Sequence, residues 1–344
     1  MKKRYVWLIF VGLVVLAGFF ALMTGSNSSG GAAPILPERA VIELPLAGPL
    51  SSQDAEISGL AWMDESTLVF LPQYPNFDDK SNDGNLYYLK KDAINSYLDG
   101  RNQSPLEPMP IRLIAPDLED LIQNYQGFEA IGFEGPRVYM TIEAGLGADM
   151  HGYLLSGVVS PDRSVILLDT SRIAEISLDA KSENHADEAL VILDGKVITF
   201  FETNGKLIVS KPSAHVFSLD LEPLGSISMP NIEYRITDVA AISGNDFWGI
   251  NYFFPGDTDL KPLTDPIADQ YGRGRSQESH EQVERIVKME YSGEGILLAD
   301  ASPVSLTLVD DARNWEGLAV LDDRGFLLAT DKYPSTLFGF VPLQ

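Results

Sequence analysis

The sequence predicts an all-β chain folded as a five-bladed β-propeller, with four antiparallel strands in each blade. One short theme recurs five times, as ISGLAW, FEAIGF, DEALVI, TDVAAI and WEGLAV, beginning at residues 57, 128, 187, 237 and 315. Each copy starts an apolar run with strand character, and a turn joins it to a second such run. Short β-rich repeats are typical of propellers. A β-sandwich or a pair of small barrels shares this spacing of strands and turns and is the alternative fold.

Composition divides the chain into three parts. Residues 1–24 hold three basic residues and then an uncharged apolar run, residues 5–23. That run is close to the roughly 20 residues that span a bilayer and longer than the roughly 7–15 of a signal peptide. An uncleaved signal anchor is therefore favoured over a cleaved signal peptide. Residues 25–35 form a flexible linker, and residues 36–344 form the propeller domain.

The predicted strands follow the repeats in order. In the second unit, residues 129–133 and 138–142 form the hairpin, and in the third, residues 189–193 and 197–201 flank the turn Asp194-Gly195. Asp-Gly between apolar runs is a strong hairpin signal. The outer strands are predicted at residues 85–89, 111–114, 153–158, 165–168, 215–219, 224–228, 283–289 and 295–299. The fifth unit has only residues 336–341 after its hairpin, so residues 40–44 should supply the missing strand and close the propeller.

Charge and cysteine content exclude several classes of function. The net charge is −24, and there is no cysteine. Nucleic acids and anionic lipid surfaces need basic patches, so neither is an expected partner of the domain. Lys2, Lys3 and Arg4 should stay cytoplasmic and send the rest outward. We therefore expect an extracytoplasmic monomer, anchored by its N-terminal helix or secreted, that binds a small molecule.

The repeats place polar side chains at two equivalent positions. The first position is taken by Ser58, Glu129, Glu188, Asp238 and Glu316, and the second by Gln73, Glu143, Glu202, Asn251 and Asp331. The residue at the first position lies at the start of the first strand of its unit. The residue at the second position lies at the end of the second strand. Antiparallel pairing brings these ends together, so all ten side chains should gather around one mouth of the central channel.

A ring of carboxylates at the channel mouth suggests a calcium site. Converging carboxylates repel one another and have raised pKa values unless a cation compensates them. Ca²⁺ takes roughly six to eight hard oxygen ligands, which Ser58, Glu129, Glu188, Asp238 and Glu316 could supply. Zinc prefers His or Cys, and neither occurs at these positions. The alternative is a water-filled structural channel.

Two segments resemble the repeats of a known family. NWEGLAVLDDRGFLLATDKYP and GFEAIGFEGPRVYMTIEAG, residues 314–334 and 127–145, resemble the repeats of the phytase-like, or esterase-like, β-propeller family of secreted bacterial proteins. Those repeats place an acid before Gly/Ala-Leu/Ile and end the next strand on Ser/Thr-Asp or Glu. The resemblance implies hydrolysis of a phosphoester or ester.

A looser resemblance is to the calcium-activated nucleotidases, or apyrases. Their five blades each give one Ser or Glu oxygen to a central calcium, a scheme that Ser58, Glu129, Glu188 and Glu316 match. Asp238 departs from it, because a serine would be closer to the pattern. The nucleotide-binding residues of that family have no counterpart that we can place in this chain.

Basic residues near the predicted mouth could neutralise an anionic ligand. Lys332 follows a ring acid, and the long loop 255–282 contains Lys261, Arg273, Arg275 and His280. That loop could equally be a solvated insertion. Arg235 and Arg313 lie three residues before ring acids, where each could form an ion pair or face a ligand. His151 and His185 could act as general bases or cap strands.

The resulting hypothesis is an extracytoplasmic calcium-binding propeller that performs metal-assisted hydrolysis of a phosphoester or ester. Calcium would orient the substrate. Glu143, Glu202 or Asp331 would position or deprotonate water, and Lys332 would neutralise the anion. The alternative is a non-catalytic module that binds a ligand or protein, with a structural calcium or a water-filled channel.

Overall fold

The computed structural model describes residues 35–147, 149–180 and 185–343. The predicted N-terminal membrane segment and nearly all of the predicted linker lie outside these residues. Among the described residues, no helix has the length and apolar character needed to cross a bilayer.

The described residues form strands along most of their length, with three short α-helices. Two short strands come first, β1 (Glu38–Arg39) and β2 (Ile42–Glu43). Unit 1 comprises β3 (Ile57–Asp64), β4 (Thr67–Pro72), β5 (Asn85–Lys90) and β6 (Met109–Ile114). Unit 2 comprises β7 (Tyr125–Glu134), β8 (Arg137–Leu146), β9 (Asp149–Val159) and β10 (Val165–Ile176). Unit 3 comprises β11 (Asp187–Leu193), β12 (Lys196–Phe201), β13 (Ser213–Ser218) and β14 (Pro223–Ser228).

The remaining strands form two further units. Unit 4 comprises β15 (Arg235–Ala241), β16 (Asp246–Phe253), β17 (Val283–Tyr291), β18 (Ile296–Leu298) and β19 (Val304–Leu306). Unit 5 comprises β20 (Trp315–Leu321), β21 (Gly325–Thr330) and β22 (Phe338–Pro342). The helices are α1 (Lys91–Leu98), α2 (Leu118–Leu121) and α3 (Pro266–Tyr271). The turn Asp194-Gly195 joins β11 to β12, and its residues have φ values of 51° and 66°, the left-handed pair that a tight hairpin requires.

Neighbouring strands within each unit pair mainly antiparallel. The N-terminal strand β2 pairs antiparallel with β22 and completes the sheet of unit 5, as the sequence predicts. A parallel pairing of β6 with β10 joins units 1 and 2 into one eight-stranded sheet. A parallel pairing of β1 with β19 adds a strand to unit 4. Strands β1 and β2 thus attach to the last two units, β1 to unit 4 and β2 to unit 5.

The first strands of the units surround a central channel. They are β3, β7, β11, β15 and β20, and each contacts the next, with β20 returning to β3. Residues 60–62, 131–133, 190–192, 239–241 and 318–320 line one apolar cavity of about 150 Å³ between them. Sheets arranged radially around such a channel make a β-propeller.

The hydrophobic core is divided among the spaces between neighbouring sheets. The core of units 1 and 2 includes Val69 and Met140, and that of units 2 and 3 includes Tyr139 and Val197. Further clusters pack unit 3 on unit 4, unit 4 on unit 5 and unit 5 on unit 1. Because β4 is buried along its whole length, it contacts apolar residues on both of its faces.

The long loop 255–282 is folded onto unit 4. It contains α3 and two short 3₁₀ turns, and Leu260, Ile267 and Ala268 are buried. Asp265 caps α3 by accepting the N–H of Ala268 and forms a two-pronged ion pair with buried Arg285 of β17, each N–O distance being 2.9 Å. The loop is therefore anchored to unit 4 through these residues, while Leu263 and other residues of it remain exposed to solvent.

Candidate functional site

A bulge at the start of the first strand places one polar side chain in each of three units. Ile57 pairs with Pro72 and Gly59 with Leu71, so Ser58 is the extra residue. Glu188 and Glu316 are extra residues in the same way. A bulge leaves one residue without a partner in the ladder and re-aims its side chain. Glu188 and Glu316 can therefore turn toward the channel while their neighbours stay in the sheet, whereas Ser58 bonds to the backbone of the next unit.

In unit 4 the predicted alignment is wrong by one residue. Ile236 pairs with Asn251 as Ile57 pairs with Pro72, and the irregular stretch ends at Val239. The equivalent of Ser58 is therefore Thr237 rather than Asp238. Its second-strand companion is Tyr252 rather than Asn251.

The hydrogen bonds of Thr237 agree with this register. Ser58 Oγ donates to the carbonyl of Phe128 at 2.7 Å, and Thr237 Oγ1 donates to the carbonyl of Trp315 at 2.6 Å. Each carbonyl belongs to the residue just before an acid, Glu129 or Glu316, of the next unit. Hydroxyls at this position therefore link adjacent first strands.

Asp238 lies instead where the other units have glycine or alanine. The equivalent residues are Gly59, Ala130, Ala189 and Gly317. Its carboxylate is buried and accepts the N–H of Leu318 at 2.6 Å and of Val239 at 2.8 Å, and the N–H of Leu60 also donates to it. Burial raises the pKa of Asp238, while the amides favour the charged form and oppose the rise.

Most of the predicted acids gather in one cavity of about 270 Å³, the acidic cavity. Its lining is polar and consists of Gln73, Tyr74, Gln126, Glu129, Glu143, Glu188, Arg235, Asn314, Glu316 and Asp331. Five of these are acids that the repeats predict at the mouth. Ser58, Asp238, Glu202 and Lys332 do not line it.

Amide side chains order part of the acidic cavity. Gln73 Nε2 donates to Glu129 Oε1 at 3.1 Å. Asn314 Nδ2 lies 2.5 Å from Glu316 Oε1 and 3.3 Å from Asp331 Oδ2. Within the described residues, Glu143 Oε1 and Asp331 Oδ1 are buried and have no hydrogen-bond partner. Buried oxygens of this kind require a donor or a cation.

The cavity acids have raised pKa values. The pKa of Glu143 is raised to about 8. Burial is the larger cause, and the negative charge of Glu202 is the second. Burial also raises the pKa of Glu129, Glu188 and Glu316 well above the usual range, and neighbouring carboxylates add to the rise. Removing carboxylates from water penalises their charged form, and like charges penalise it further. The cavity therefore favours protons or another cation.

Among the residues that the structure describes, Arg235 is the cation that lines the acidic cavity. Its Nη1 lies 2.7 Å from Glu202 Oε1, and its Nη2 lies 2.7 Å from Asp257 Oδ2. His185 Nε2 lies 3.5 Å from Glu202 Oε2. Both Nη atoms of Arg235 are thus already paired. Glu202 is an ion-pair partner of Arg235 and does not line the cavity.

The other predicted basic residues lie away from the acidic cavity. Lys332 Nζ pairs with Glu56 in an adjoining cleft. Arg313 pairs with Glu284 at 2.7 Å, and Lys261 with Glu281 at 2.9 Å. His151 lies 3.3 Å from Glu175. Arg273, Arg275 and His280 are not among the residues that line the cavity.

No group of three or more His, Asp or Glu side chains in the described part of the chain is preassembled as a metal centre. The carboxylates line the cavity wall and are held by amides or left unpaired. Binding an ion there would require the carboxylates to turn toward it.

Comparisons with solved structures find proteins with a related chain path but very low sequence identity. No protein-family model matches the chain, and no similar curated protein was found. A luciferin-regenerating enzyme matches at 10% identity with a TM-score of 0.46, over 88% of this chain and 95% of that one. CoXyl43, a β-xylosidase/α-arabinofuranosidase from a compost microbial metagenome, matches at 10% identity with a TM-score of 0.48, over 89% and 96%.

A third structure is a β-fructofuranosidase from Bombyx mori, which matches at 10% identity with a TM-score of 0.49, over 86% of this chain and 63% of that one. No activity is transferred from matches this distant. These comparisons show neither a phytase-like nor an apyrase family.

Several residues that line the acidic cavity are not predicted by the repeat. Tyr74, Gln126 and Asn314 precede or follow the repeated positions and share no common spacing. Asn314 could have been suspected, because it lies two residues before Glu316. Thr237 carries the same hydroxyl chemistry as Ser58, and that likeness was the available signal for the correct register.

Proposed function

We propose that this protein is an extracytoplasmic, five-bladed propeller whose acidic cavity binds a divalent cation, with calcium the best fit. Support for the blade count comes from the closed cycle of five first strands and from the five clusters that pack one unit on the next. The repeated acids would then serve the whole ring of blades.

One observation carries the cation proposal. Glu143 is 2% exposed, and its Oε1 is buried without a partner beside four other carboxylates. A buried charge needs a partner, and Arg235, the one cation among the described lining residues, is already shared by Glu202 and Asp257. A divalent ion supplies the missing positive charge.

The donors fit calcium better than other common ions. Carboxylate oxygens of Glu129, Glu143, Glu188, Glu316 and Asp331 are hard ligands. Calcium accepts roughly six to eight such oxygens in flexible geometry, whereas magnesium demands a tight octahedron. Zinc prefers nitrogen and sulfur ligands, which the lining lacks.

This ligand set differs from the predicted one at two positions. The hydroxyl of Ser58 donates to Phe128, and the carboxylate of Asp238 is occupied by backbone amides. Glu143 and Asp331, predicted to act on water, take their places at the cavity wall. One member of this set can still exchange a proton with water when others hold the ion.

We further propose metal-assisted hydrolysis of a phosphoester or ester at this cavity. The bound ion would offset negative charge on the substrate. Two clefts open beside the cavity, one sharing Tyr74 with it and the other Arg235 and Asn314, so a substrate has room to approach. The competing function is a ligand-binding module in which the ion only ties the blades together.

Thermal unfolding of the full-length protein in EDTA and then in excess Ca²⁺ tests the cation site. We expect a rise in melting temperature of several degrees, because a ligand of the native state stabilises it by mass action. Glu129→Gln should reduce that rise. Glu134→Gln, which changes an exposed acid on the same strand, should leave it intact.

An unchanged melting temperature in wild-type protein would reject the cation proposal. A rise with calcium but no turnover of phosphoesters or esters would favour the binding module over the hydrolase. Fractionation of cells into membrane, soluble and exported material tests the location, and a wholly cytoplasmic protein would contradict it.

A further inference from the structure

A second cavity opens beside the acidic cavity, and we name it the aromatic cleft. It has a volume of about 550 Å³ and is lined by Arg235, Tyr252, Phe254, Asp311, Ala312, Asn314, Tyr333 and Pro334. Arg235 and Asn314 also line the acidic cavity. The volume lies in the range of small-molecule sites, roughly 300–1,000 Å³. A molecule in the cleft would therefore lie next to an ion in the acidic cavity.

The two cavities differ in chemistry. The acidic cavity is lined by polar and acidic side chains, whereas the cleft presents three aromatic rings together with Ala312 and Pro334. Tyr252 lines the cleft and is 2% exposed. Phe254 is 47% and Tyr333 62% exposed, so two large rings face solvent at the rim. Rings exposed in this way offer faces on which a flat ligand ring can pack.

One donor at the boundary between the cavities is unused. The Nε–H of Arg235 is buried and has no hydrogen-bond partner among the described residues, although both Nη atoms are paired. An unpaired buried N–H needs an acceptor oxygen. Arginine donors and a divalent ion together select an anionic oxygen group such as a phosphate.

We infer that the site binds a phosphorylated ring compound, with its phosphate between the cation and Arg235 and its ring in the aromatic cleft. The inference rests on the proposed cation site, because the five cavity carboxylates would repel a phosphate without it. It deepens the proposed function by naming the substrate class, a phosphomonoester whose leaving group is a ring.

Titration calorimetry of the full-length protein tests this assignment, with phenyl phosphate as the probe in saturating Ca²⁺. Inorganic phosphate measures the affinity for the anion alone, and phenol measures the affinity for the ring alone. We expect phenyl phosphate to bind at least tenfold more tightly than either. In EDTA its affinity should fall at least tenfold.

Two variants locate the ring. Tyr333→Ala should weaken the binding of phenyl phosphate by about two- to tenfold, the usual effect of removing an aromatic partner. The affinity for inorganic phosphate should stay unchanged. Tyr333→Phe, which keeps the ring, should bind like wild type. Leu263→Ala, at a residue 90% exposed elsewhere on unit 4, is the control for removing a surface apolar group.

The outcomes separate the two proposals. Absence of calcium binding by wild-type protein would reject the cation site and this inference with it. Calcium binding with equal affinity for phenyl phosphate and inorganic phosphate, or with no effect of Tyr333→Ala, would overturn the cleft assignment alone. Tighter binding of benzylammonium than of phenyl phosphate would also overturn it, because the site would then select cations.

Discussion

Asp238 Oδ2 accepts the backbone N–H of Leu318 at 2.6 Å, which ties the first strand of unit 4 to that of unit 5. The same carboxylate accepts the N–H of Val239 and of Leu60, so it also reaches unit 1. Leu60 and Leu318 each lie two residues after a polar bulge residue, Ser58 and Glu316. Asp238 therefore fixes the backbone that positions the mouth of the channel.

Asp238→Ala should lower the free energy of unfolding by about 3 kcal/mol or more, because up to three buried amides lose their acceptor. Alanine itself fits, since Ala130 and Ala189 occupy the equivalent position in units 2 and 3. Urea unfolding measures the loss. Millimolar formate should restore part of the stability of the variant by filling the vacated site, and should not affect wild type.

The matched control is Asp323→Ala, which removes an exposed acid from the turn of unit 5. We expect its unfolding curve to overlay that of wild type. Equal stability of Asp238→Ala and wild type would contradict the role assigned to this carboxylate.

Glu188→Gln should stabilise the protein in EDTA at pH 8. Burial and the charges of neighbouring acids raise the pKa of Glu188, and the amide removes that repulsion. The same change should reduce the calcium-induced rise in melting temperature, because one ligand charge is lost. Differential scanning calorimetry with and without calcium measures both effects. A variant less stable than wild type in EDTA would show that the carboxylate has a stabilising partner.

His215 should make stability depend on pH. Its Nδ1 lies 2.8 Å from Asp187 Oδ2, and its Nε2 lies 3.5 Å from Asp179 Oδ1. Burial alone would lower the pKa of His215, but these carboxylates raise it from 6.5 to about 10. The folded protein therefore keeps a proton that the unfolded chain loses. The stabilisation is fully present below pH 6.5 and is lost as the pH rises through about 10.

His215→Gln should flatten this dependence between pH 6.5 and about 10. One proton accounts for at most about 1.4 kcal/mol per pH unit. Because the raised pKa of Glu143, about 8, changes stability in the same direction over the lower part of this range, the variant must be compared with wild type at each pH. Parallel curves for the two proteins would indicate that His215 is neutral when folded.

Asp265→Ala should destabilise unit 4 by about 3–5 kcal/mol, because it leaves the buried guanidinium of Arg285 without its carboxylate. It also removes the N-cap of α3. We expect limited proteolysis to cut residues 255–282 faster in this variant. Asp269→Ala, at an exposed position in α3, is the control and should be cut at the wild-type rate.

Much of the architecture is readable from local sequence patterns. Alternating apolar residues, the turn Asp194-Gly195 and the recurrence of the theme predict the hairpins, and the missing strand of unit 5 predicts the pairing of β2 with β22. The acids that gather in the cavity follow from the antiparallel pairing of repeated segments. These features depend on neighbours close in sequence or on a periodic repeat, so a single chain reveals them.

The register of unit 4 is different, because Thr237 and Asp238 are adjacent and both polar. A one-residue slip exchanges which of them takes the position equivalent to Ser58. Only the pairing of Ile236 with Asn251 decides it. The repeat alone therefore determined that each first strand carries a polar residue near its start, but not which one in this unit.

The sequence likewise could not predict which charged residues form ion pairs with one another. It supplied Arg235, Glu202, Lys332 and the loop cations as candidates, and the fold paired Arg235 with Glu202 and Lys332 with Glu56. The sequence by itself determined the all-β repeat and the gathering of acids at one end. The tertiary structure alone decided which oxygens remain unpaired, because ion pairs form between residues brought together by packing of different blades.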